Sequence, residues 1–157
     1  MVTACATHPI PSTPPETRAD WVHVGSGAYV DVHEKVFYGV GKASGIRNPM
    51  LLRSSADNQA QQEVARVVAE FINDLAHGVT NEIENEGWMH RVVHNSVADA
   101  VIIDHRQDSD NGYFYALSRL SLANVKSHLE VESALPQETR RAMLDHADEW
   151  HVRMAQH

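Results

Sequence analysis

The chain has 157 residues, 43% of them apolar and 22% charged, with a formal net charge of −8. This amounts to one domain plus a tail, apolar enough for a real core, and with no basic stripe to neutralise phosphates it excludes a general nucleic-acid-binding role. The apolar runs are a few residues long, far short of the ~20 that span a bilayer, and the single cysteine excludes an internal disulfide framework or a multi-cysteine zinc site.

That cysteine stands in Val2-Thr3-Ala4-Cys5, a small-residue tetrapeptide with the form of a bacterial lipobox. In such a motif the cysteine is diacylated and becomes the mature N-terminus. A lipobox follows a basic n-region and an apolar stretch of roughly 7–15 residues, which this reading expects to be encoded upstream of Met1. Residues 6–20, ATHPIPSTPPETRAD, hold four prolines and no periodicity. They read as an extended tether with an end-to-end distance on the order of 20–25 Å as a coil. A catalytic thiol needs a base and a shielded pocket, and neither is expected for Cys5 beside such a segment.

The folded part is expected from Trp21 to the C-terminus. Ala28 to Val32 and Val36 to Val40 are strand candidates, joined as a hairpin by His33-Glu34-Lys35. Gly39, Gly41 and Gly45 then read as a glycine-punctuated strand exit. Asn48-Pro49 is a helix start, with an N-cap followed by proline at the first helical position. The helix is expected to reach about His77, with Gly78 as its C′ stop. Leu52, Ala56, Ala60, Val64, Val67, Phe71 and Leu75 would form its inner face. Asn81 and Glu84 resemble a capping box for a second helix over about 82–98, with Ile83, Val92, Val93 and Val97 inward.

Ala100 to Arg106 is a strand with Val101-Ile102-Ile103 as its apolar centre. Asp108-Ser109-Asp110-Asn111-Gly112 is a dense turn signal, and Tyr113 to Leu120 returns as the partner strand. Leu122 to Val131 reads as a short helix. Pro136 opens the last one, in which Met143, Ala147, Trp150 and Met154 recur at helical spacing. The order β-β-α-α-β-β-α-α predicts an α+β domain: an antiparallel sheet of two hairpins with helices packed on one face.

Several patterns invite chemistry. Glu86, His90 and His94 are spaced i, i+4, i+8, and on a helix the two histidines could chelate a divalent metal. A third strong ligand is not named by the sequence, and no HExxH pattern is present, so a solvated polar face is the favoured reading. The 108–112 run has glycine at its fifth position and Arg119 at its twelfth, which fits a hairpin turn rather than an EF-hand loop. The glycines of 39–45 lack the spacing of a Walker or dinucleotide loop. No catalytic motif and no cofactor site is expected.

Trp21-Val22 with Gly25-Ser26-Gly27-Ala28, then Val36-Phe37-Tyr38-Gly39-Val40-Gly41, then Ala56-Asp57-Asn58 at a helix head, form an ordered set with Tyr113 to Leu122 (YFYALSRLSL), Pro136 and a closing amphipathic helix. This set resembles the LPP-twenty family of small bacterial lipoproteins from Trp21 nearly to the C-terminus. The resemblance implies an outer-membrane lipoprotein with a compact α+β body, no catalytic residues, and links to the cell surface or the flagellar base. Ala6, rather than aspartate, follows the cysteine, which by the same analogy favours the outer membrane. The expected partners are the lipid bilayer, through acylated Cys5, and an envelope protein or a second copy of the chain. The sheet edges and Trp21, Trp88 and Trp150 are the places where self-association is expected. The alternatives are a soluble histidine-dependent metal binder or small hydrolase, and a cytoplasmic interaction domain in which the lipobox is accidental.

Overall fold

A computed structural model describes residues 21–81 and 87–157. Its elements run α1 (Trp21–Val24), β1 (Gly27–Asp31), β2 (Glu34–Ala43), α2 (Pro49–Val79), α3 (Gly87–Ala98), β3 (Val101–Asp108), β4 (Tyr113–Ser121), α4 (Leu122–Glu130) and α5 (Gln137–Ala155). The class is α+β, and the two antiparallel hairpins join through β2 and β4 into one sheet of order β1-β2-β4-β3. The expected order changes at one place: a single-turn helix, α1, precedes β1. It also lies on the opposite sheet face from α2 to α5, where Trp21 hydrogen-bonds to Asp104.

The longest helix forms for reasons visible in its sequence. Asn48 takes an extended conformation and its side-chain oxygen accepts from the Met50 N–H at 2.9 Å, with Pro49 in the first turn. This satisfies donors that a helix start leaves orphaned. Ala56, Ala60, Val64, Val67, Phe71 and Leu75 are buried as their spacing requires, and Val68, Ile72 and Ala76 widen the inner face beyond the expected stripe. The helix does not stop at Gly78. It runs through to Val79 and ends on Thr80 in an extended conformation. Gly78 answers a packing need instead: a Cβ there would lie 2.8 Å from Cε2 of Trp150 on α5 and closer still to Cζ2.

Gly39 and Gly41 are likewise not a strand exit, because β2 continues through Ala43. They sit where α2 crosses the sheet. A Cβ on Gly39 would lie 2.6 Å from the Val64 nitrogen and nearer still to the Ala60 carbonyl oxygen; one on Gly41 would meet Ala56 and Ala60 the same way. Glycine within a strand marks a close backbone approach. Here Gly39-x-Gly41 on the strand and Ala56-x-x-x-Ala60 on the helix let two backbones touch.

The connection between β1 and β2 is tighter than expected. Asp31 pairs with Glu34, leaving Val32 and His33 as the turn. Val32 takes a positive φ of 34°, in the region that favours glycine.

The main core joins Phe37, Val64, Val67, Phe71, Leu75, Trp88, Val92, Leu120, Leu129 and Met143. On α5 the buried set is Met143, Ala147 and His151, so the inner face is set by His151 and not by Trp150, which is half-buried. Trp21 and Trp88 are 5% and 3% exposed, which removes both as self-association sites. On α3, Trp88, Val92 and Ser96 are buried, while Val93 and Val97 pack from the rim. Ile83, Glu84 and the expected capping box lie outside the described residues or depend on them.

Candidate functional site

Residues directly opposite in an antiparallel pair share a face of the sheet. Ala28, Phe37 and Leu120 form one such row and belong to the helix-side core. Ala43, Ala116 and Phe114 lie on that same side, packed with Ala56 and Ala60 of α2. The alternate residues make the other face: Tyr29 and Asp31 of β1, Glu34, Val36, Tyr38, Val40 and Lys42 of β2, Tyr113, Tyr115, Leu117 and Arg119 of β4, and Asp104, Arg106 and Asp108 of β3. All four tyrosines of the chain fall here.

The strand β3 reaches this arrangement through an irregularity. Ile102 pairs with Ser118, but Asp104 pairs with Leu117, so Ile103 is surplus. A bulge of this kind shifts the alternation by one residue. Asp104 therefore points to the tyrosine face, and His105 points toward α2.

The helix α1 straps this face. Trp21 donates its indole N–H to the Asp104 carboxylate at 3.1 Å, anchoring the strap to β3. Its single turn closes with the Gly25 N–H donating to the Trp21 carbonyl, and Gly25 turns the chain at a φ of 84°. Ser26 then accepts from the Val40 N–H at 2.9 Å, and the Tyr29 hydroxyl donates to the Gly25 carbonyl at 2.9 Å. The strap thus reaches from the β1 edge to the β3 edge. Trp21, Val36 and Leu117 are buried yet belong to neither helix-side cluster. Leu117 is the register partner of Asp104, which holds Trp21, and of Val40, which holds Ser26, whereas Val36 lies four residues from Val40 along β2.

Either side of the strap is polar. At one end Tyr38 donates to Asp31 at 3.0 Å and Arg119 donates to Glu34. Burial, then the Asp31 hydrogen bond and charge, push the Tyr38 hydroxyl above its ordinary value against the opposing pull of Arg119. Burial alone pushes Tyr29 the same way. Both phenols stay protonated near neutrality and act as hydrogen-bond donors. At the other end Lys42 lies 3.7 Å from the ring centre of Tyr113 and 5.8 Å from that of Tyr115, a cation–π arrangement. Between α1 and the β3–β4 turn runs a groove of about 540 Å³, bordered by Val22, His23, Arg106, Asp108, Asn111 and Tyr115. The Asp108 carboxylate accepts from the Asn111 side chain and from the Asp110 and Asn111 backbone, which holds it below the usual carboxylate range. The expected hairpin turn is what that carboxylate organises, and Gly112 completes it at a φ of 69°.

Such a face offers ring surfaces, phenol donors and cations. Its residues went unnoticed in the sequence, although the signal was there: Tyr113, Tyr115, Leu117 and Arg119 alternate strictly, as one face of a strand does.

The sequence-derived candidates fall elsewhere. Cys5 and Glu86 lie outside the described residues. His90 and His94 are exposed on α3. Among the described residues, no group of three or more His, Cys, Asp or Glu side chains is placed to hold a metal ion. On the helix side, His105 Nε2 meets Asp57 Oδ1 at 2.6 Å and stacks near Phe114, tying β3 to the head of α2.

No family model matches the sequence, and no curated protein matches it.

Proposed function

We propose that this chain is a non-catalytic, lipid-anchored component of the bacterial cell envelope that works by binding or assembly. It would be a lipoprotein of the kind the LPP-twenty resemblance implies, held at the outer membrane through acylated Cys5. The observation that carries the reading is the position of α1. Residues 6–20 connect the lipobox cysteine to Trp21, and Trp21 is pinned by its indole to Asp104 on the tyrosine face. A load on the tether would pass into the strap and from there into the sheet. No helix among the described residues is long and apolar enough to cross a membrane, and the proposal assigns attachment to lipid. One acyl chain holds a protein only marginally, whereas several make the attachment stable.

The test is made on protein isolated from its native host. Mass spectrometry of the mature N-terminus should find an acylated Cys5, and the protein should enter the detergent phase on phase separation. Cys5→Ser should move it to the aqueous phase. A native protein that retains an unmodified Met1 and stays in the soluble fraction would refute the proposal.

A further inference from the structure

The helix α5 closes one side of the core, and the residue at the centre of its inner face is ionisable. His151 is fully buried. Its ring lies 5.0 Å from that of Phe37 on β2 and 6.3 Å from that of Phe71 on α2, edge-on to both. Nε2 lies 2.9 Å from the Val36 carbonyl oxygen, so in the neutral ring it carries the hydrogen and donates. Nδ1 is then the lone-pair nitrogen. It is sealed from solvent and meets no donor or acceptor among the described residues. A proton added there would be a charge without a partner inside an apolar wall, which costs far more than it does in water.

We propose that His151 is a proton-operated latch on α5. Neutral, it docks the helix against β2 and α2; protonated, it releases the helix, baring Phe37 and the wall formed by Ala28, Val67 and Phe71 next to β1.

The charged groups acting on the ring are Lys35 of β2 and Asp148 of α5. Asp148 also holds Lys126 of α4 at 2.7 Å, besides Lys35 at 3.0 Å. From α2 the ring meets Phe71, and from β1 the adjoining core residue is Ala28. Burial, above all, holds the His151 imidazole below its ordinary value; Lys35 adds to this, while Val36 and Asp148 oppose it. The sign follows. A released helix carries a histidine that titrates near 6.5, whereas the docked helix resists protonation. Docking is therefore fully favoured above about pH 6.5 and weakens as pH falls below it. With the docked form unprotonated, the ratio of released to docked helix rises up to about 25-fold between pH 7 and pH 5. Over the same interval Asp148, held below the usual carboxylate range by Lys126 and Lys35, stays ionised. The ion pairs that Asp148 makes with Lys35 and Lys126 at the rim of α5 therefore persist.

Amide hydrogen exchange on the full chain at pH 7 and pH 5, corrected for intrinsic exchange rates, tests this. The α5 amides from Met143 to Val152 should lose roughly an order of magnitude or more of protection, while the α2 amides around Val67 and Phe71 keep theirs. In His151→Gln, whose amide can still donate to Val36 but does not titrate, α5 protection should not change with pH. If that variant fails to fold, an NMR titration of His151 in the unaltered protein decides: its ring should remain neutral in the docked form through pH 6. Equal loss of protection in α2 and α5, unchanged α5 protection in the unaltered protein, or an ordinary titration of His151 with the helix still docked would each overturn the latch.

Discussion

Adding one methyl group at Gly39 should unseat the longest helix from the sheet. On a half-buried strand, alanine for glycine would ordinarily help, because it removes unfolded-state entropy worth about 0.4–1 kcal/mol. Here the new Cβ would lie 2.6 Å from the Val64 nitrogen and closer still to the Ala60 carbonyl oxygen, and both obstacles are backbone of α2. Neither can rotate away. To regain ordinary contact the helix must retreat by about 1 Å, and a gap of that size forfeits a quarter to a half of each dispersion contact along the seam. Overpacking of this kind costs about 3 kcal/mol or somewhat more, the upper end of its usual range, because the strain falls on backbone. For a domain of this size that lowers the melting temperature by roughly 6–12 °C. Gly27→Ala is the control, since its Cβ would meet only the Tyr29 ring at 3.5 Å, an ordinary contact. Thermal or urea unfolding followed by far-UV circular dichroism reads both. Gly39→Ala within about 0.5 kcal/mol of Gly27→Ala would refute the argument that backbone contact selects the glycine.

Three further outcomes follow from other parts of the molecule. Asn48→Ala removes the side-chain cap of α2 and should lower stability by about 1 kcal/mol, read as a shift of the urea midpoint with an unchanged slope; no shift would mean that the cap is replaced by water at no loss. Trp21→Ala empties the site under the strap and should cost about 3 kcal/mol, with Tyr29 and Leu117 becoming exposed; an unchanged midpoint would show that α1 is merely laid on the sheet. Asp148 titrates below the usual carboxylate range because Lys126 and then Lys35 bond it. Its contribution is therefore present above about pH 4 and lost as pH falls through its lowered value, so Asp148→Asn should flatten stability against pH below pH 4, and an unaltered acid limb would contradict this.

The fold was legible where a local rule had no competitor. Asn48-Pro49 admits one reading, and the run from Ala56 to Leu75 has one period. The 108–112 turn was as clear, because aspartate, asparagine and glycine have few other uses together. Legibility failed where a residue's meaning depends on what lies across from it. Gly39, Gly41 and Gly78 look like punctuation until α2 or Trp150 is set against them. His151 was passed over because a polar residue does not advertise a buried position, and Trp150 took its place in the expected stripe. The tyrosine face needed the register of four strands before its members could be seen together. One-turn α1 was invisible for a simpler reason: four residues are too short for any periodicity, and beyond the one bond that closes the turn it is held by tertiary contacts.

The surplus residue at Ile103 has a reach out of proportion to its size. Upstream of it the strand keeps one parity and downstream the other, so it works as a phase shifter between two otherwise incompatible halves. Were Ile103 drawn into the ladder opposite Leu117, every later side chain of that strand would turn over at once. Asp104 would face the long helix, leaving the strap without its acceptor, and His105 would surface among the tyrosines, leaving Asp57 without its partner. Two attachments on opposite sides of the sheet thus hang on one residue standing outside the ladder.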